Sequence, residues 1–223
     1  MSYLVDDSVS IIIPIFNRKK FEKMIEYNII NQDYPFIKEI IIGDDSDIDK
    51  PIHLGVPYTI KYCKLPRCTI GQKRDFLVRE ATGKYVINFD SDDFYKSNYV
   101  SHSVFTLKYK NKKATGSGDM IIYNGKRFFK QRCIYLYLLN EGTMCIEREW
   151  YLKTCLYLNQ SHGEASLFLR KNIKDICDTD ELLMCCASHS PNTIDKKLWE
   201  NDKYNFETNE YKNHIDLLST LNI

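Results

Sequence analysis

The sequence predicts one α/β domain, with a mostly parallel central sheet flanked by helices. Two observations carry this reading. In the first half, apolar runs of strand length alternate with segments whose apolar residues recur at helical spacing. Two of those runs end in acidic turns, where parallel sheets present ligand-binding groups. A length of 223 residues allows a sizeable core and suits one domain better than two small ones.

Ser8 to Pro14 is a continuous β-branched run ended by proline, and it predicts a central strand buried on both faces. Phe21, Met24, Ile25 and Ile29 share one helical face, so a helix over 20–31 should cover the sheet, and Asp33-Tyr34-Pro35 should end it. Ile37 to Gly43 predicts the next strand, delivering Asp44, Asp45 and Asp47 at its end. Strand, helix, strand and acidic turn together open a Rossmann-like sheet. Tyr58 to Cys63 alternates as a third strand. Thr69 and Gln72 fit a capping box for a helix through Ala81, with Gly83 as its stop. Tyr85 to Phe89 is a buried strand that leads into Asp90, Ser91, Asp92 and Asp93. Ser97 should cap a helix over 98–110.

The second half changes character. Met120 to Tyr123, Asn124-Gly125 and Lys126 to Phe129 predict a hairpin with a tight Asn-Gly turn. Strands are expected at Ile134 to Leu139 and Thr143 to Ile146, with helices from Arg148 and over 165–171. The glycine- and lysine-bearing stretch 110–118 divides a first half of about 1–110 from a second of about 111–223, read as subdomains sharing one core.

Charge excludes some partners. Lys+Arg number 31 against 30 Asp+Glu, so no global field draws the chain to nucleic acid or an anionic membrane. No stretch reaches a membrane-spanning apolar length and no signal peptide is read at the start, so a cytoplasmic protein is expected. The eight cysteines are scattered without a Cys-x-x-Cys pair, which points to free thiols in a reducing compartment.

The acidic turns carry the chemistry. Three aspartates at 90, 92 and 93 repel one another, and a divalent cation among their oxygens would make the cluster favourable; the alternative is an acidic loop. Lys73 and Arg74 lie in the first turns of a helix, where exposed amides favour an anion, although both could merely solvate the helix surface.

Seven segments then occur in a recognisable order: Ser-Ile-Ile-Ile-Pro-Ile-Phe-Asn-Arg, Gly-Asp-Asp-Ser, Gly-Gln-Lys-Arg-Asp, Ala-Thr-Gly-Lys-Tyr-Val-Ile-Asn-Phe-Asp-Ser-Asp-Asp, Gly-Thr-Met-Cys-Ile, Gly-Glu-Ala and His-Ser-Pro-Asn-Thr. In this the chain resembles family 2 glycosyltransferases over about residues 8 to 195. The resemblance implies a GT-A fold, whose first half binds a nucleotide diphosphate sugar and whose smaller second half helps bind the acceptor. It implies nucleotide-sugar contacts at Pro14, Phe16, Asp44, Asp45, Lys73, Arg74, Asp90 and Ser91. It also implies a Mn²⁺ or Mg²⁺ cofactor held by Asp92, Asp90 and His189, with Asp93 behind them or against substrate.

The implied reaction is inverting transfer from a UDP-sugar to a hydroxyl of a glycan, protein or small-molecule acceptor, with a carboxylate as base. In the family this base is typically the Asp of a Glu-Asp pair at a helix start, and here Glu164-Ala165 occupies the place. Four alternatives follow: Glu164 serves, another carboxylate serves, the position has been altered, or transfer is impaired and the chain only binds nucleotide sugar. A nucleotidyltransferase would want a glycine-rich loop after the first strand, where Phe16-Asn17-Arg18-Lys19 stands instead.

Overall fold

The computed structural model describes residues 7–47, 51–124, 128–132 and 135–188. Among these described residues, eleven strands and five α-helices follow in order. The first half holds β1 (Val9–Ile15), α1 (Glu22–Ile30), β2 (Ile37–Asp44), β3 (Thr59–Lys64), α2 (Ile70–Glu80), β4 (Tyr85–Asn88), β5 (Asp93–Tyr95) and α3 (Tyr99–Tyr109). The second holds β6 (Ala114–Gly116), β7 (Asp119–Tyr123), β8 (Phe128–Arg132), β9 (Cys145–Glu147), α4 (Arg148–Thr154), α5 (Ser166–Lys171), β10 (Ile176–Asp178) and β11 (Met184–Ala187).

A seven-stranded sheet runs in the order β10-β6-β9-β4-β1-β2-β3. Only β9 runs against its neighbours, pairing antiparallel with β4 and β6, so the other six share one direction. Its reversal has a consequence for the site, because the start of β9 lies beside the C-terminal ends of the parallel strands.

Strand periodicity explains why β1 sits in the middle. Ile11, Ile13 and Ile15 face a core completed by Ile25 and Ile29 of α1 and by Val104 and Leu107 of α3. Ile12 faces the opposite way, into a cluster with Leu77 and Val78 of α2, Tyr151 of α4 and Phe168 of α5. Ile41 of β2 and Val86 of β4 join Ile12 on that side, while Ile40, Ile42 and Ile87 join the first core. Each fully buried isoleucine contributes roughly 2 kcal/mol of transfer free energy. A strand with large apolar groups on both faces is therefore stable only between two helical layers.

A second sheet of four strands has the order β5-β11-β7-β8. Tyr95, Ile122, Phe129 and Cys186 turn one of its faces into the main core, and Phe94, Ile121 and Cys185 meet Phe21 and Met24 on the other. Strands from both sides of stretch 110–118 thus build the larger sheet, and β6 forms within that stretch.

Several local expectations are corrected. Residues 136–138 of the anticipated strand form a 3-10 turn, with Leu138 exposed and the Tyr137 ring under the Arg170 guanidinium at 4.7 Å, while Cys133 and Ile134 lie outside the described residues. The hairpin pairs Tyr123 with Phe128, so four residues connect β7 and β8 and not the two of an Asn-Gly turn; 125–127 are outside the described residues. Helix α2 ends with Ala81 extended, before Gly83 is reached. Asn98, not Ser97, holds the cap position of α3, without a side-chain cap.

Candidate active site

The site forms where β1, β2 and β4 end and β9 begins. At its base, Asp45 follows β2 and is buried. Its Oδ1 accepts from Lys73 Nζ, while its Oδ2 accepts from Arg67 Nη1 at 3.2 Å and from the Cys68 backbone N–H at 3.1 Å. Lys73 also donates to the Ile15 carbonyl at 2.7 Å, tying α2 to the end of β1. Burial pulls the Lys73 ammonium below its ordinary pKa, and Asp45 opposes this by holding the charge. Arg67 lies over the Phe16 ring, 3.4 Å from its centroid, a cation–π stack that joins the turn after β1 to the loop before α2.

Asp44 is satisfied locally. Tyr62 donates its hydroxyl to Oδ2, and the Ser46 N–H donates to Oδ1 at 2.8 Å. Pro14, in the last part of β1, stands opposite Gly43.

The second group centres on Arg74, which is buried with two carboxylates on its fork. Nη2 donates to Asp90 Oδ1 at 2.6 Å and Nη1 donates to Glu164 Oε1. Burial alone would lower the Arg74 pKa, but Asp90 and Glu164 outweigh it and hold the guanidinium charged well above its usual range. The helix that carries Arg74 begins as expected: the Thr69 hydroxyl accepts from Gln72 N at 3.2 Å, and Gln72 accepts from Thr69 N at 3.1 Å.

Gly71 fixes how close α2 comes to the loop holding Glu164. Its N–H donates to the Gln160 carbonyl at 2.9 Å, and a Cβ there would stand 1.8 Å from the Leu158 oxygen. Only glycine allows this approach.

Asp92, two residues beyond Asp90, pairs with Arg18 at 3.2 Å, and both side chains are partly buried. Ser91 is buried. Asp93 has a place in the fold: its Oδ1 accepts from Ala187 N at 3.0 Å and its carbonyl accepts from Asn28 Nδ2 at 2.8 Å, joining α1, β5 and β11. His189 lies outside the described residues.

Two aspartate carboxylates, on 90 and 92, offer hard oxygen donors of the kind Mn²⁺ and Mg²⁺ prefer. Among the described residues no group of three His, Cys, Asp or Glu side chains is arranged to hold an ion. Two protein carboxylates still suit a cation that keeps waters and takes substrate phosphate oxygens.

Glu164 and Ala165 are both buried. Glu164 is engaged with Arg74, and Ala165 sits in the apolar cluster that contains Leu77, Tyr157 and Phe168. Three further residues reach the site that sequence patterning missed: Arg67, Arg18 and Glu141. Glu141 is half-buried in a 3-10 turn, Glu141–Thr143, just before β9. Asn88 Nδ2 donates to its carbonyl at 2.5 Å, and Ala165 N donates to its Oε1 at 3.4 Å. Burial and then the neighbouring Glu164 push the Glu141 carboxyl up to about 7, with Arg74 opposing. The available signal was weak: Asn140 and Gly142 flank it as turn formers, and the Asn140 side chain does accept from Gly142 N at 3.0 Å.

The large, mainly parallel sheet flanked by helices matches GT-A glycosyltransferase structures. Residues 10–179 match the family described as glycosyl transferase family 2, and the chain belongs to that family. It is 26% identical over 195 residues to an uncharacterized glycosyltransferase of Rickettsia bellii, covering 86% of this chain and 26% of that protein. It is 28% identical over 102 residues to glycosyltransferase GlyA of Streptococcus pneumoniae, covering 44% of this chain and 14% of that one. The chain thus spans about a quarter or less of the length of these two relatives. In structure it is similar to S. aureus TarS 1-349 in complex with UDP-GlcNAc, with a TM-score of 0.64, 16% identity, and 83% of this chain and 60% of that one covered. The mannosyltransferase PcManGT from Pyrobaculum calidifontis, in complex with GDP-Man and Mn²⁺, gives 0.62 at 13% identity, covering 96% and 70%. At such identities the likeness is one of fold. No helix among the described residues is long and apolar enough to cross a membrane.

Proposed function

We propose that the chain transfers a sugar from a UDP-sugar to an acceptor hydroxyl, with inversion and with help from a divalent cation. The observation that carries this reading is the convergence of Asp45, Lys73, Arg74, Asp90 and Asp92 at the C-terminal ends of β1, β2 and β4, in a member of this family. The solved structures with UDP-GlcNAc, and with GDP-Man and Mn²⁺, support it by analogy of fold.

In this reading Pro14, Phe16, Asp44 and Asp45 border the nucleoside, with Phe16 braced by Arg67. Lys73 and Arg74 act through the carboxylates they orient, Asp45 and Asp90, and Ser91, buried between Asp90 and Asp92, borders the same nucleotide sugar. Asp92, Asp90 and His189 would hold Mn²⁺ or Mg²⁺, which when bound neutralises charge on the leaving diphosphate. The second half, from about 111, would meet a glycan, protein or small-molecule acceptor.

The ion-paired state of Glu164 and the methyl group at Ala165 favour a second reading, a nucleotide-sugar-binding protein with little transfer. Measuring UDP release from a panel of UDP-sugars with Mn²⁺ separates the two. Turnover above the uncatalysed rate supports a transferase, and saturable UDP binding without turnover supports the binding protein.

A further inference from the structure

Transfer to a hydroxyl requires a group that takes the hydroxyl proton, and neither residue at the helix start can do so freely. Ala165 has no acceptor atom. Glu164 is 2% exposed, and its carboxylate is engaged with the Arg74 fork, so protonating it would break a buried ion pair.

A different carboxylate reaches the same place. The Glu141 carboxylate accepts from the backbone N–H of Ala165, so it stands at the position the helix start would otherwise furnish. Its turn is anchored to the acidic end of β4. Asn88 holds the Glu141 carbonyl, and the adjacent Gly142 packs so tightly that a Cβ there would lie 2.6 Å from Asp90 Oδ2. Unlike Glu164, Glu141 keeps part of its surface open.

We propose that Glu141 is the general base of the transfer, a catalytic role carried from the start of β9 instead of the start of α5. The inference rests on the transferase reading above. The acceptor O–H bond breaks with its proton passing to the Glu141 carboxylate, and the acceptor oxygen forms a bond to the anomeric carbon. The bond from that carbon to the diphosphate breaks, its electron pair leaving with the nucleoside diphosphate. Its charged and titratable neighbours are Glu164 from the loop before α5, Arg74 from α2 and the Tyr157 hydroxyl; Asp90 acts at one remove through Arg74. Burial and Glu164 raise its proton affinity, and Arg74 keeps that rise within the neutral range, which suits a base working near pH 7.

The test uses the full chain, UDP-GlcNAc and the other UDP-sugars of the panel, Mn²⁺, and water or the acceptor that supports turnover. Glu141→Gln keeps the size of the side chain and removes the base. It should lower kcat at least about 100-fold, leave the donor KM within about threefold, and abolish an acidic limb of kcat/KM centred near pH 7. Glu141→Asp, shorter by one methylene, should recover part of the turnover and serves if the Gln variant folds poorly. Glu164→Gln should keep an acidic limb but move it to lower pH, because it removes the negative charge that helps raise the Glu141 carboxyl. Turnover of Glu141→Gln above a third of the wild-type rate, or an unchanged limb, overturns the assignment while leaving the transferase reading intact. A wild-type chain that neither binds UDP nor releases it overturns both.

Discussion

Replacing Arg74 by methionine tests the electrostatic centre of the site. Methionine keeps most of the aliphatic volume and removes the charge, leaving Glu164 and Asp90 without their shared cation. The two losses differ in size. The Glu164 side chain is 3% exposed and cannot rehydrate, whereas that of Asp90 is 27% exposed and can. Removing one partner of a buried pair costs about 3–5 kcal/mol, and a solvent-reachable pair contributes about 1 kcal/mol or less. The expected loss at pH 8 is therefore about 4 kcal/mol, or roughly 8–16 °C in Tm for a chain of this size.

The sign of the pH dependence follows from the orphaned carboxylate. Without Arg74, the Glu141 carboxyl, already raised by burial, loses the cation that restrained its rise. In the variant the native state then binds more protons than the unfolded state between about pH 4.5 and the raised value, so stability falls as pH rises through that window. Urea denaturation at pH 5 and pH 8 should show the smaller loss at pH 5, about 2 kcal/mol. A loss under about 1 kcal/mol at pH 8, or a larger one at pH 5, would refute the proposed arrangement.

Two further substitutions probe the packing around that centre. Gly71→Ala forces a methyl group into the Leu158 carbonyl and should break the Gly71–Gln160 bond, costing about 2–4 kcal/mol in denaturant melts. Gly55→Ala, whose Cβ would meet only the flexible end of Glu26, should stay within about 0.5 kcal/mol, and equal effects would contradict the close approach. Ala165→Asp could gain about 1 kcal/mol as a helix cap, but it places a carboxylate in an apolar cluster beside Glu141. Burial should win by about 2 kcal/mol at pH 8 and by less at pH 5, a difference that thermal melts at the two pH values would read.

The elements legible in the sequence were those whose stability is local or whose faces are uniformly apolar. β1, β2 and β4 announced themselves as β-branched runs because they are buried on both faces, and Thr69 with Gln72 announced α2 because a capping box is a contact between near neighbours. The strands β5, β6, β10 and β11 have three or four residues each, and long-range pairing alone defines them, as in Cys186 with Asp93. The 3-10 turn at 136–138 has the apolar content of a strand, and its packing beneath Arg170 could not be read from composition.

The site divides along the same line. Asp45, Asp90 and Asp92 were visible because strand ends in a parallel sheet mark where ligands go. The partners of these residues were not, since Arg67 meets Phe16 across 51 positions of chain and Arg74 meets Glu164 across 90. Lys73 and Arg74 looked like surface cations near a helix start, and folding buries both against carboxylates. Glu141 reaches the site because β9 runs against the rest of the sheet, and a sequence pattern does not disclose strand direction.

The central claim, a nucleotide-sugar site built on the acidic end of β4, is tested most directly by calorimetric titration of UDP with and without Mn²⁺, for the wild-type chain and Asp92→Ala. The Arg18–Asp92 pair is partly buried, with side chains 12% and 13% exposed, so its loss should cost about 1–3 kcal/mol, and a thermal melt checks that Asp92→Ala is folded at the titration temperature. Saturable UDP binding that strengthens with Mn²⁺ in the wild type, and loses that strengthening in a folded Asp92→Ala, is the predicted result. UDP affinity that is unaffected by Mn²⁺ or by the substitution would contradict the metal assignment, and no UDP binding at all would contradict the site.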